Sequence, residues 1–234
     1  MDRRFATVRE RYAQPSEIRK YASRSGDGFL EWERTVAEKY LMPPGSLLDI
    51  GCGGGREAIA FALRGCVVTA IDINEELLGT ARSAALSLDV AVDFRLCDGT
   101  TLDFLDASFD CVVLFSQVLG NFPGSAGRAA LLREVRRVLR PGGRFAFSIH
   151  NRDVCEPIAR VKGLIVESTE FPMEEGDCIL VEEAGAAPCY WHYFTRDEIL
   201  ALCGDADLEV LECCLAQDFG QTGWDTVWVC VCGT

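Results

Sequence analysis

The stretch LLDIGCGGGREAIAF, residues 47–61, limits what this chain can fold into more than any other. An apolar run meets four glycines within five positions and then continues as a helix former. Strand, glycine turn and helix in that order let main-chain N–H groups approach a nucleotide at a helix N-terminus. Tight turns also use glycine for conformation alone, so the turn by itself does not decide the matter. The next strand adds a second feature. CVVTAID ends in Asp72, 21 residues after Gly51, where a carboxylate accepts both hydroxyls of a bound ribose. Turn and acid together indicate an adenosine-containing ligand. The dinucleotide frame G-x-G-x-x-G is not met, because Gly51-Cys52-Gly53-Gly54-Gly55-Arg56 has arginine in the last place. That disfavours a nicotinamide or flavin dinucleotide.

From residue 45 onward, apolar strands alternate with helical segments. SLLDIG, CVVTAID, VAVDFRLCD, FDCVVLFS and RFAFSIH read as strands, with REAIAFALRG, NEELLGTARSAALSL and RAALLREVRRVLR as helices among them. Asn74 is placed to cap the second helix, and Pro141-Gly142-Gly143 to end the third. Continuous apolar strands with helical crossovers predict an α/β fold, a parallel sheet covered on both faces. Residues 151–194 break this rhythm with short strand-like runs, GLIVEST, CILVEEA and CYWHYF, and read as an inserted antiparallel piece. Thr195-Arg196-Asp197-Glu198 matches a capping box. ADLEVLECCLA and DTVWVCVC then read as a pair of edge strands. Ahead of residue 45, Phe5, Val8, Tyr12, Ile18 and Tyr21 recur at helix spacing, with a break at Pro15.

LLDIGCGGG, AIDIN, CDGTTLDFLDASFDCVVL and LLREVRRVLRPGGRFAFSI, in this order and at these spacings, resemble the class I S-adenosylmethionine-dependent methyltransferases of the small-molecule type. The resemblance covers residues 45–151, with a weaker echo in 195–233. It implies a Rossmann-like seven-stranded mixed sheet, order 3-2-1-4-5-7-6, with strand 7 antiparallel and helices on both faces. It also implies S-adenosyl-L-methionine as cofactor, S-adenosyl-L-homocysteine as product, and in-line methyl transfer to an N or O nucleophile of a small molecule. Carried over residue by residue, Gly51, Gly53 and Gly55 line the methionine part. Asp72 binds the ribose hydroxyls and Ile73 packs on the adenine. Asp98, beside Gly99, accepts from the adenine amino group. Ser116 ends the fourth strand near the methionine moiety, and Asp49 and Arg56 lie close enough to take part. The implied organisation is an N-terminal helical lid over 1–44 and a methyltransferase domain over 45–234, with a substrate cap near 152–194. Two other readings share the fold. One is a non-catalytic protein that binds S-adenosylmethionine or S-adenosylhomocysteine. The other is an aminopropyltransferase, for which the fourth strand lacks an aspartate-rich motif.

Methyl transfer needs a base only where the nucleophile arrives protonated. The two histidines are the candidates for that role, with pKa values near neutrality. His150 ends the fifth strand, at the carboxyl edge where open α/β sheets bind ligands. His192 lies in CYWHYF, amid Tyr190, Trp191, Tyr193 and Phe194.

Charge bounds the partner. The net charge is −13, with 19 acidic and 19 basic side chains over residues 1–150 against 17 acidic and 4 basic over 151–234. Such a surface repels a phosphate backbone, so no nucleic-acid partner is expected. The arginines of the third helix, Arg128 and Arg133 to Arg140, read as a solvated face. Glu167, Glu170, Glu174, Glu175, Asp177, Glu182 and Glu183 make a field that favours a cationic small-molecule acceptor. Twelve cysteines without a CxxC pair read as reduced, buried thiols, and no metal site is expected. No apolar run reaches about 18 residues, and MDRRFATVRERYAQ lacks the apolar core of a secretory signal. The expected location is the cytoplasm, without a membrane partner. The sequence leaves the oligomeric state undetermined.

Overall fold

A computed structural model describes residues 2–42, 45–166, 172–181 and 186–234. Glu167, Glu170, Glu182 and Glu183 of the acidic field lie outside the described residues. The strands in chain order are β1 (Ser46–Ile50), β2 (Val67–Asp72), β3 (Val92–Leu96), β4 (Phe109–Leu114), β5 (Leu139–His150), β6 (Ile165–Val166), β7 (Asp177–Leu180), β8 (Cys189–His192), β9 (Glu209–Leu215) and β10 (Val227–Gly233). The helices are α1 (Arg3–Tyr12), α2 (Pro15–Ala22), α3 (Glu31–Val36), α4 (Arg56–Ala62), α5 (Glu75–Ser87), α6 (Ser125–Val138), α7 (Arg152–Val161) and α8 (Arg196–Gly204).

The main sheet runs β3-β2-β1-β4-β5-β10-β9. Its first five strands are parallel, and β10 lies antiparallel between β5 and β9. Numbered within that sheet alone, this is the order 3-2-1-4-5-7-6 with the last strand reversed, as the resemblance implies. Period-two alternation divides the side chains between two faces. Leu48, Ile50, Val112, Leu114, Phe145 and Phe147 pack against Leu132 and Val135 of α6 and Ile199 of α8. Leu47, Val113, Ala146 and Val229 turn the other way, toward Trp32 of α3, Ile59 of α4 and Leu78 of α5. Burial on both faces is why these strands read as unbroken apolar runs.

Two segments depart from the sequence expectation. Residues 152–161 form α7, where only strand-like runs were expected. The Asn151 side chain caps it by accepting from the Asp153 N–H, and Pro157 sits inside it. Proline ordinarily reads as a helix breaker, which hides the pattern. The rest of the insertion holds a three-stranded antiparallel sheet, β6-β7-β8, packed with Val8 and Tyr12 of α1. The second departure is at the end of α6. The helix stops at Val138, and β5 begins at Leu139, which pairs with Phe109 before the register shifts. Pro141-Gly142-Gly143 therefore lies within the strand and does not mark the helix end. Among the described residues no helix is long and apolar enough to cross a membrane.

Candidate active site

The carboxyl ends of β1 to β4 open on a cleft of about 660 Å³ counting its open mouth, where open α/β sheets place their ligands. Gly51, Gly53, Asp72, Ile73, Asp98, Gly99 and Ser116 all line it. Gly53 has φ +52°, and a Cβ there would meet only the Tyr21 ring, 3.5 Å away. The turn thus leaves bare backbone on the cavity floor. The Gly53 N–H donates to Asp72 Oδ2 (2.8 Å) and the Asn74 N–H to Oδ1 (2.9 Å). Each oxygen retains accepting capacity for a ligand hydroxyl. Asp72 is 8% exposed. Burial pushes its pKa above the ordinary carboxylate value, and the bonds from Gly53 and Asn74 pull it back. Asp98 is held at the cavity edge, where Oδ1 accepts from the N–H and the hydroxyl of Thr100 (3.0 and 2.7 Å). Ile50, Ile71, Leu77 and Phe122 supply apolar walls. A flat base, a diol and an amino-acid tail have matching surfaces here, so these residues fit S-adenosylmethionine.

Gly55, Asp49 and Arg56 do not line this cavity. Gly55 has φ +84°, and a Cβ there would come within 2.8 Å of Ala81 Cβ on α5. Its missing side chain lets two helices pack. Alternation along β1 turns Asp49 to the Leu47 side, beneath α4. Its Oδ2 is buried without a hydrogen-bond partner. Burial, followed by the charges of Glu57 and Asp72, pushes its carboxyl well above the ordinary 3.8. Arg56 donates to Glu33 (2.6 and 2.7 Å), Glu57 (2.5 Å) and the Gly28 carbonyl (2.8 Å). This guanidinium fastens the chain before α3 onto α4. In this arrangement Gly55 and Asp49 pack behind the turn, and Arg56 lines the second cavity described next.

A second cavity, of about 900 Å³ counting its open mouth, adjoins the first, and Tyr12, Tyr21 and Ser116 line both. Gln117, His150 and Trp191 line the second. The His150 ring lies 5.0 Å from that of Trp191 and 5.6 Å from that of Tyr193. Cys155 Sγ is 3.8 Å from its Nδ1. Burial in this packing lowers the His150 pKa to about 4. Ser116 and Gln117 both have left-handed backbone, φ +52° and +61°. Such strain in non-glycine residues gathers where a ligand must be positioned. Gln117 N and Nε2 both donate to Ser148 Oγ (3.3 Å), and Ser116 Oγ donates to Glu57 (2.9 Å).

His192 lines neither cavity. Its Nδ1 lies 2.7 Å from Asp177 Oδ1 and its Nε2 2.7 Å from Glu198 Oε1, so both nitrogens are occupied. The Tyr190 hydroxyl donates to Asp177 (2.5 Å), and Arg128, 1% exposed, pairs with Glu174 (2.9 Å). His192 therefore belongs to a buried network joining β7, β8, α6 and α8, and Arg128 is part of that network and not of a solvated face. Glu175 pairs with Arg152 (3.0 Å). Glu174, Glu175 and Asp177, the described members of the acidic field, line neither cavity.

The sequence led to the expectation of a helical lid over 1–44 but did not single out its lining residues. Phe5, Val8 and Tyr12 of α1 and Tyr21 of α2 line the cavity wall opposite the glycine turn. Asn121, in the turn after β4, was missed as well. The Tyr12 hydroxyl donates to Asn121 Oδ1 (3.3 Å), and Asn121 Nδ2 donates to the Tyr190 carbonyl (3.1 Å). One amide thus ties α1 to β8 at the cavity wall.

Residues 48–147 match a methyltransferase domain family. Over 109 residues the chain is 38% identical to the ubiquinone biosynthesis O-methyltransferase of Idiomarina loihiensis, a match covering 46% of this chain and 43% of that protein. The chain spans about half the length of the curated relatives it matches, 43% to 50%. An S-adenosylmethionine-dependent methyltransferase structure from Methanosarcina mazei aligns with TM-score 0.71 at 25% identity, over 85% of this chain and 96% of that one. The 1,6-didemethyltoxoflavin-N1-methyltransferase of Burkholderia thailandensis, bound to 1,6-didemethyltoxoflavin and S-adenosylhomocysteine, shares the fold. Its TM-score is 0.61 at 19% identity, over 97% of this chain and 81% of that one.

Proposed function

The chain carries a class I S-adenosylmethionine-dependent methyltransferase domain, and on that premise we propose that it methylates a hydroxyl oxygen of a small aromatic acceptor in the second cavity. The observation that carries this reading is the meeting of the two cavities at Tyr12, Tyr21 and Ser116, with His150 on the acceptor side. A closed junction would favour a cofactor-binding sensor, whereas an open one favours transfer. When bound, S-adenosylmethionine supplies a methyl group made electrophilic by its sulfonium.

In this proposal Asp72 and Asp98 hold the adenosine, and Gly51, Gly53 and Ser116 hold the methionine part. The chain's task is then to align the acceptor and exclude water, since proximity supplies most of the rate. Phe5, Val8, Tyr12 and Tyr21 act as the lid over the first cavity. The insertion caps the acceptor through Trp191. His150, rather than His192, takes the hydroxyl proton, because its burial keeps the imidazole neutral at physiological pH.

Oxygen is preferred over nitrogen because the matched half resembles proteins named as O-methyltransferases. The lining charges agree. Glu17 is paired to Arg11 and Lys20, Glu33 to Arg56 and Arg24 to Asp27, so among the described residues the lining carries four cations against two carboxylates. A neutral or anionic acceptor suits that lining better than the cationic one expected from the acidic field. Twelve free thiols fit the reducing cytoplasm.

Incubating the chain with S-adenosylmethionine and a panel of phenols, catechols and amines, read by mass spectrometry, tests the acceptor class. Methyl ethers are expected, and an amine-only product profile contradicts the proposal. His150→Gln is expected to lower kcat/KM by about 10²–10⁴-fold while S-adenosylhomocysteine affinity stays unchanged. The acid limb of the wild-type kcat/KM profile is expected near pH 4 and not near 6.5. A limb at 6.5, or an unimpaired variant, removes His150 from the role.

A further inference from the structure

Alternation along β10 puts Cys230 and Cys232 on one face of the sheet, and both share a core cluster with Cys203 of α8. Cys232 Sγ lies 3.7 Å from Cys203 Sγ and 3.8 Å from Cys230 Sγ, and all three sulfurs are within 4.8 Å of one another. Cys213 on β9 stands opposite Cys230 in the register, with its thiol hydrogen-bonded to that of Cys230. All four side chains are buried.

The separations discriminate between chemistries. A disulfide needs sulfurs about 2.05 Å apart. Four thiolates about 2.3 Å from a zinc ion form a tetrahedron with edges of about 3.8 Å. The Cys232–Cys203 and Cys232–Cys230 separations, 3.7 and 3.8 Å, match two of those edges, and Cys213 lies outside the three-sulfur group.

The thiolate is the ligating form. Among the described residues the group consists of cysteines, and sulfur-only donors select a soft or borderline metal over magnesium, calcium or manganese.

We propose that Cys203, Cys230 and Cys232, with Cys213 turning in from beside Cys230 as the fourth ligand, form a structural zinc site that clamps α8 to the β9–β10 pair. Binding exchanges the thiol protons, up to four, for one zinc ion, and the protons pass to solvent. The resulting negative charge is partly offset by Arg196, whose field reaches Cys213. The sequence hides such a site because its ligands come from three elements, with Cys-x-Cys on one strand as the only short spacing among them. None of the four lines either cavity, so this site and the methyltransferase reading stand or fall separately.

The test uses the full chain purified under reducing conditions. Elemental analysis is expected to find about one equivalent of zinc per chain. Replacement by cobalt is expected to give the thiolate-to-metal charge-transfer and visible bands of a tetrahedral thiolate site. Zinc is expected to raise Tm, and a chelator to reverse the rise. Cys232→Ser is expected to lose the metal and keep S-adenosylhomocysteine binding, whereas the neighbour control Cys214→Ser keeps both. A folded wild-type chain that takes up neither zinc nor cobalt overturns the proposal, as does full metal retention by a Cys203→Ser/Cys232→Ser double variant. If the serine variants fail to fold, the wild-type cobalt spectrum and Tm response still decide it.

Discussion

Asp49 and Asp72 sit on adjacent strands, and what reaches their oxygens separates them. Asp72 receives a main-chain N–H on each oxygen and faces a cavity. Asp49 lies beneath α4 with one oxygen unpartnered and with Glu57 and Asp72 as electrostatic neighbours. Its folded-state pKa lies above the ordinary 3.8. Stability from this group is therefore complete below 3.8 and is lost as pH climbs through the raised value. Asp49→Asn keeps the shape and removes the titration. Thermal unfolding is expected to show the variant gaining on the wild type as pH rises above about 4. A variant that falls behind over that range would mean that a charged Asp49 is held by an interaction the structure lacks. The position of Asp72 at the cavity was legible in the sequence because it follows from spacing along two strands. His192 was not, because Asp177 and Glu198, which occupy its nitrogens, come from β7 and α8.

Among the elements, α8 shows how local chemistry and tertiary contacts divide the work. The Thr195 hydroxyl accepts from the Glu198 N–H (3.2 Å), which is the half of the capping box that depends only on neighbours. The Glu198 carboxylate, which the motif would turn back on Thr195, is bonded to His192. Thr195→Ala is expected to cost about 1 kcal/mol in urea unfolding. No loss at all would mean that His192 and the core anchor α8 without its cap. The same division explains what the sequence showed of the other elements. Asn74 caps α5 through the Glu76 and Leu77 N–H groups, as its position suggests. Helix α7 was obscured by Pro157, and the start of β5 by a proline–glycine run that pairing with β4 overrides.

At the scale of the whole molecule, a parallel sheet covered on both faces follows from apolar strands alternating with helices, and so does a cavity at their carboxyl ends, whereas the strand order was implied by the family resemblance alone. The roof does not follow from any local pattern. It exists because α1 and α2 fold back, bringing Tyr12 and Tyr21 to the junction of the two cavities. A face at helical spacing reveals that it is covered, but not by what. The first cavity is expected to hold an adenosyl ligand through Asp72. Calorimetric titration of S-adenosylhomocysteine into the wild type and folded Asp72→Ala tests this most directly. Losing hydrogen bonds to a charged group costs about 1.5–3 kcal/mol, so the variant's Kd is expected to rise roughly ten- to a hundredfold. No binding by the wild type, or equal affinity in the two proteins, would contradict the account.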